Sequence, residues 1–191
     1  NHMERQKQFI GNASHELQTP LAVIGNRIEW LMDSTSLTEE QFAELSKMRQ
    51  SIHRLVRLNR TLLLLSKIDS GHFLDRSDVD IVPIIENELE VYKEIFAAKE
   101  LVCNVKVPQH FVVQMDEMLA TTMVGNLIKN AFVHSPAGGR IDIVIAHGSF
   151  SVSNSGDEAL DEARLFDRFY TSGKSGSTGL GLSLVKSIAG Y

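Results

Sequence analysis

Apolar residues return in steps of four and three along residues 9–31: Ala13, Leu17, Leu21, Ile24, Ile28 and Leu31. That spacing predicts one long amphipathic helix. A break follows in "DSTSLTEEQF", where Thr38 stands three residues ahead of Gln41 in the arrangement of a capping box. A second periodic run then takes in Leu45, Met48, Ile52, Leu55 and Leu62, with Asn59 falling in the same seam. Two helices of about 30 residues, each with a single apolar stripe, bury that stripe only partly against one another. Two such hairpins meeting form a four-helix bundle, so the pattern predicts a homodimer; Asn59 in the seam either helps to fix the register or is merely tolerated there.

The periodicity stops around "DSGHFLDRSDVD", where Gly71 and several acidic residues mark a boundary between domains at 4–72 and 73–191. Beyond it, "VPIIENELEVYKEIFAAKE" reads as a helix with Pro83 in its first turn, and "LVCNVKV" and "FVVQM" read as strands. Asp116 is placed to cap a helix from Glu117 to about Val133. "RIDIVIAHGSFSVSN" reads as a hairpin turning at His147 and Gly148. The expected class is α+β, with a helical hairpin followed by helices laid on one face of a mixed sheet.

Composition narrows the partners. The chain has 191 residues, 43% of them apolar, enough for one large or two small cores. A net charge of −5 without a basic cluster argues against nucleic acid. The single Cys103 excludes an internal disulfide, offers no zinc spacing and suits the cytosol. No apolar run approaches the roughly 20 residues that span a bilayer. Residues 1–3, "NHM", read as a cloning scar on a piece of a longer protein.

At about 100° per residue, Ile24 and Ile28 fall within roughly 20° of Leu17 around the first helix, whereas His15 falls roughly 160° away. The pattern therefore puts the His15 imidazole on the solvent face, with Thr19 about 40° from it and Glu16 beside them. Pro20 removes the amide that would bond the Glu16 carbonyl, which predicts a bend just past the histidine at a cost of ~3 kcal/mol. A neutral imidazole is a competent nucleophile, and an adjacent carboxylate can take its proton.

A second constellation lies in "GNLIKNAFVHSP". Asn126, Asn130 and His134 are spaced by four, opposite Val124, Leu127 and Ala131. Asparagine is a poor helix former, and two at that spacing supply neutral oxygens and amides suited to phosphate and a hydrated magnesium ion. Further on, Gly173, Gly176, Gly179 and Gly181 precede an apolar helix, where backbone amides and a helix N-terminus can receive phosphate. The run is not a P-loop, because Arg168 stands where that motif has its first glycine.

Taken together, these segments resemble the core of sensor histidine kinases of two-component systems. "SHELQTPL" looks like the family's histidine box, "NLIKNAFVHSP" its asparagine box, "VSNSG" a variant of its first glycine box, "LFDRFY" its phenylalanine box and "STGLGLSLVKSI" its second glycine box. The resemblance implies a dimeric four-helix bundle followed by an α/β sandwich of the gyrase and histidine-kinase ATPase type. It implies autophosphorylation from ATP with Mg²⁺, then transfer to the receiver domain of a response regulator. His15 would be the phosphoacceptor, Glu16 its acid/base helper, and Thr19 would orient water for dephosphorylating the partner. Asn130 would hold Mg²⁺, and Asn126 and His134 would line the phosphates. Asn154 would meet the adenine amine, Gly156, Phe166 and Phe169 would belong to the nucleotide site, and Thr178, Gly179, Leu180 and Gly181 would flank the nucleotide under a lid at residues 170–177. By the same resemblance the whole protein would be anchored upstream in the bacterial inner membrane, with this part facing the cytoplasm.

The chain departs from the family's pattern at several positions. Asn154 stands where aspartate is usual and offers a neutral acceptor. Val133 replaces a frequent lysine, Ser177 a frequent glycine, and "NSGDEAL" lacks a second glycine; Lys174 in the lid would restore a positive charge. Closing strands of the sandwich are expected beyond Tyr191, which makes the second domain read as C-terminally truncated. The alternative reading is a nonkinase dimeric module that acts mainly as a response-regulator phosphatase or binding scaffold.

Overall fold

The computed structural model describes residues 2–34, 36–69, 76–156, 161–170 and 178–190. The chain divides into two compact units, residues 1–72 with 173–180, and residues 73–172 with 181–191. None of its helices, among the described residues, is long and apolar enough to cross a membrane.

The first unit is a hairpin of α1 (His2–Ser34) and α2 (Glu39–Asp69). The capping box forms as read: Gln41 N–H donates to Thr38 Oγ1 at 3.2 Å, and Thr38 N–H donates to Gln41 Oε1 at 3.0 Å. Helix α1 continues past Pro20 to Ser34. Within one hairpin the apolar stripe is incompletely covered: Ile28 is 3% exposed, but Leu17 is 51% and Ile24 45% exposed, and Met48 and Leu55 of α2 are exposed as well. Asn59, Leu63, Leu65 and Ile68 are the buried positions of α2. Asn59 reaches across the hairpin, its Nδ2 donating to the Ser14 carbonyl at 2.6 Å.

In the second unit the order is β1 (Ser77–Asp80), α3 (Ile81–Val91), α4 (Lys93–Lys99), β2 (Val102–Lys106), β3 (Val112–Met115), α5 (Glu117–His134), β4 (Arg140–Ala146), β5 (Ser149–Asn154) and α6 (Gly181–Ala189). Strand β4 lies between β2, parallel to it, and β5, antiparallel. The turn from β4 to β5 places both His147 (φ 52°) and Gly148 (φ 75°) in the left-handed region, as a tight hairpin turn requires. Asp116 caps α5 by accepting from Leu119 N–H at 3.1 Å.

Helix α5 packs between α3 and α6. Its buried face, Val124, Ile128, Ala131 and Phe132, joins Ile85 of α3 and Ile141, Ile143 and Ile145 of β4 in one core. Strand β4 alternates buried and half-buried positions, the period of a pleated strand with one face on the core. Phe132 stacks on Tyr92 with ring centres 5.1 Å apart and takes the edge of Phe96 at 4.3 Å. Truncating such a buried aromatic costs about 3–5 kcal/mol.

Two features depart from the sequence pattern. The segment read as one helix is two, α3 and α4, which meet at Tyr92 (φ −95°, ψ 2°). The break falls where Tyr92 and Phe96 both seat on Phe132. Strand β1, in the segment read only as a boundary, pairs antiparallel with β3, Val79 opposite Val113. Four residues with one buried side chain carry too little alternation to be seen, and their partner lies more than thirty residues away. Lys99 closes the C-terminal end of α5, its Nζ donating to the carbonyls of Phe132 at 3.0 Å and Ser135 at 3.1 Å.

Asp80 joins several elements. Its Oδ1 accepts from Phe111 N–H at 3.0 Å and from Val82 N–H at 3.2 Å, capping α3, and its Oδ2 meets His110 Nδ1 at 2.7 Å. The Phe111 amide, then His110, hold this carboxyl below the usual aspartate range. A depressed carboxyl contributes stability that is complete above its unfolded pKa of ~3.9 and is lost as pH falls through the lower folded value. Asp80→Asn should therefore unfold more readily than the wild type at neutral pH, with the gap narrowing as pH drops below ~4. Denaturant melts across that range check this, and a gap that does not change with pH would count against it.

Candidate functional site

The candidate residues fall in two main groups, one on α1 and one around α5 and α6. In α1, Ser14 is buried, and the next residue, turned about 100° around the helix, is His15. His15, Glu16 and Thr19 are all exposed, as the apolar periodicity of α1 requires. An exposed imidazole has the chemistry of a nucleophile, and a carboxylate stands on the adjacent residue.

In the second unit the core face of α5 turns Asn126, Asn130 and His134 to its half-buried side. Asn126 Nδ2 donates to the Thr122 carbonyl one turn back at 2.7 Å, which holds the side chain against its own helix. Its Oδ1 is thereby aimed at the start of α6: a Cβ on Gly181 would lie 3.0 Å from it. Gly181 is the position at which α6 approaches α5, and Gly179 just before it adopts φ +67°, a conformation that favours glycine. Thr178 and Leu180, which group with the first unit, are half-buried and fully buried respectively. On its other flank α5 uses Gly125 to admit Glu88 of α3, whose carboxyl burial pushes upward from its ordinary pKa.

Asn154 is exposed at the end of β5, its Nδ2 donating to the Ser155 carbonyl at 2.9 Å, and Gly156 is exposed two residues on. Phe166 and Phe169 are both exposed, and Phe169 takes φ 68°. Lys174 and residues 171–177 of the expected lid lie outside the described residues. No three His, Cys, Asp or Glu side chains gather as a metal cage among the described residues. The donors that α5 offers are neutral amide oxygens, which fit a magnesium ion that brings waters and anionic phosphates as its other ligands.

The sequence carries two family domains at these places. Residues 5–71 match the His Kinase A (phospho-acceptor) domain, and residues 115–190 match the family described as histidine kinase-, DNA gyrase B-, and HSP90-like ATPase. The chain belongs to the histidine kinase family. Among curated relatives, it is 30% identical to the sensor-like histidine kinase SenX3 of Mycolicibacterium smegmatis over 96% of this chain and 51% of that protein. It is 33% identical to the sensor histidine kinase TrcS of Mycobacterium tuberculosis over 96% of this chain and 39% of that protein. The heme sensor protein HssS of Staphylococcus saprophyticus is 30% identical over 97% of this chain and 42% of its own length. The chain thus spans about half or less of the length of these relatives.

Solved structures share the architecture of the family. The crystal structure of full-length ShkA in complex with AMPPNP superposes with a TM-score of 0.74 at 23% identity, over 96% of this chain and 40% of that one. The histidine kinase AdeS of Acinetobacter baumannii gives 0.60 at 24% identity, over 91% of this chain and 85% of that one. These likenesses establish the fold, a helical hairpin followed by an α/β domain with a mixed sheet.

Two neighbours of the candidate residues were invisible to periodicity. Lys186 of α6 places its Nζ 5.6 Å above the Phe166 ring, a cation–π contact between segments that no local spacing connects. Asn59 lies 45 residues from the Ser14 carbonyl that it bonds; its place in the seam was legible, but its partner was not. The approach of α6 to α5 predicts that Gly181→Val displaces Asn126. The side-chain amide resonance of Asn126 should shift, with stability lowered by about 1 kcal/mol. An unmoved resonance would contradict the packing.

Proposed function

We propose that the chain is the kinase core of a two-component sensor, with residues 4–72 as the dimerisation and phosphotransfer domain and residues 73–191 as the catalytic domain. ATP is bound by the second domain, and the His15 imidazole attacks the γ-phosphorus. The N–P bond forms as the P–O bond to ADP breaks, and Glu16 takes the proton that leaves the ring. The phosphoryl group then passes to an aspartate carboxylate on the receiver domain of a response regulator, which returns His15 to its free form. Positioning and charge neutralisation supply most of the catalysis in such transfers.

The observation that carries this reading is the exposed His15, Glu16 and Thr19 on a helix whose other face is apolar. In the same chain, the α5 and α6 helices meet through a glycine against an asparagine. Asn126 and His134 would line the phosphates, Asn130 would hold the magnesium ion, and Asn154 and Gly156 would receive the adenine. Phe166, Phe169, Thr178, Gly179, Leu180 and Gly181 would border the nucleotide, with Lys174 in the lid. When bound, magnesium neutralises phosphate charge that this neutral set of amides cannot. ShkA, a structural neighbour, binds the ATP analogue AMPPNP, which supports the nucleotide reading.

Dimerisation follows from the stripe that one hairpin leaves open. Leu17, Ile24, Met48 and Leu55 are too exposed to be the seam of a lone pair of helices, and a second hairpin would cover them. Thr19, one turn from His15 on the same exposed face, supports a phosphatase activity toward the regulator. We further propose a membrane anchor upstream, as befits a sensor.

Incubation with γ-labelled ATP and Mg²⁺ should place an acid-labile, alkali-stable phosphate on the wild type and none on His15→Gln. Equal label on both proteins would remove His15 from the mechanism. At the adenine end, Asn154→Asp should tighten ATP binding by roughly tenfold, because an ionised acceptor makes the stronger hydrogen bond. Calorimetric titration measures this, and weaker binding by the aspartate variant would place the adenine elsewhere.

A further inference from the structure

The backbone around His15 departs from an ordinary helix on both sides. In a continuous α-helix the Ser14 carbonyl accepts the amide hydrogen of Gln18; here it also accepts Asn59 Nδ2 at 2.6 Å. The Glu16 carbonyl, one residue beyond His15, has lost its usual donor because residue 20 is proline. The residue between them thus has one flanking carbonyl with two donors and the other without its helical one.

Asn59 is an expensive way to fill its position. It is 3% exposed, and its Oδ1 is buried without a hydrogen-bond partner. The atom that faces Ser14 has to be the nitrogen, since an amide oxygen has no hydrogen to give a carbonyl, and so the oxygen is the atom left over. An apolar residue such as leucine would bury without that penalty, as Leu63 and Leu65 do on the same helix. Packing alone therefore does not account for the asparagine. What it adds is a directional bond from α2 to the peptide group that leads into His15, where the hydrophobic stripe by itself permits rotation and sliding.

We infer that Asn59 is a positioning residue for His15, its side-chain amide fixing the rotation and height of the α1 turn that presents the imidazole to the incoming phosphorus. The inference rests on the reading of His15 as the phosphoacceptor. Asn59 touches neither nucleotide nor phosphate; it acts through the Ser14 carbonyl. Its loss should slow transfer once ATP is bound and leave ATP binding as it was.

The test compares the wild-type chain with Asn59→Leu, which keeps the bulk and removes the donor. Thermal unfolding should show the variant at least as stable as the wild type, because the orphaned oxygen is gone. The KM for ATP should stay within about twofold while the labelling rate at saturating ATP falls by on the order of tenfold to a hundredfold, the scale set by small misplacements of reacting groups. Phosphoramidate, a small phosphodonor that reacts with accessible histidines without the catalytic domain, should label His15 in both proteins at similar rates. Asn59→Ala carries the same kinetic expectation if the leucine variant does not fold. A folded variant that labels from ATP at the wild-type rate would overturn the inference, as would a loss of rate matched by phosphoramidate. If the wild type itself takes no label at His15, the phosphoacceptor reading fails first, and the positioning role falls with it.

Discussion

The burial of α5 in the shared core of the second unit is the constraint on which that unit depends. Phe132, Ile128 and Val124 belong with Ile141 and Ile143 to one buried core, and α3 and α6 both pack on the same helix. Because these contacts fix the rotation of α5, the opposite side holds Asn126, Asn130 and His134 at a set depth. Two poor helix formers are tolerated there because the helix is held by its apolar face, its Asp116 cap and the Lys99 ammonium at its far end. The polar site is a consequence of the packing behind it.

The hairpin works under the opposite condition. Its helices are long and regular, yet one copy leaves Leu17 and Ile24 open while Ile28 is covered. Such a seam invites a partner, and it also has low directional specificity, since leucine and isoleucine accept many rotations. The hydrogen bond from Asn59 to the Ser14 carbonyl is directional and lies beside His15. Thus the polar residues of α5 are placed by burial of its apolar face, whereas the hairpin adds a buried hydrogen bond to a more open apolar seam.

Much of the fold was legible from local pattern. Steps of three and four marked both helices of the hairpin, the Thr38–Gln41 box marked the start of α2, Asp116 the start of α5, and His147–Gly148 the turn of the β4–β5 hairpin. Each is set by residues a few positions apart, where steric preference and a single hydrogen bond decide. The same logic put His15 opposite the apolar stripe and the asparagines on one side of α5. It failed at Tyr92, where helical propensity ran on but the helix divides at a ring stacked on Phe132, and at β1, whose partner is remote.

The sequence by itself determined which face each candidate side chain occupies, because helical and strand periods are properties of the backbone that residue types report directly. Only the tertiary structure decided what meets those faces: Asn126 against Gly181, Lys186 over Phe166, Asn59 on the Ser14 carbonyl. Contacts of that kind join residues tens of positions apart. They arise when hydrophobic burial sets the rotation and spacing of whole elements, a sum over many side chains that no local window contains.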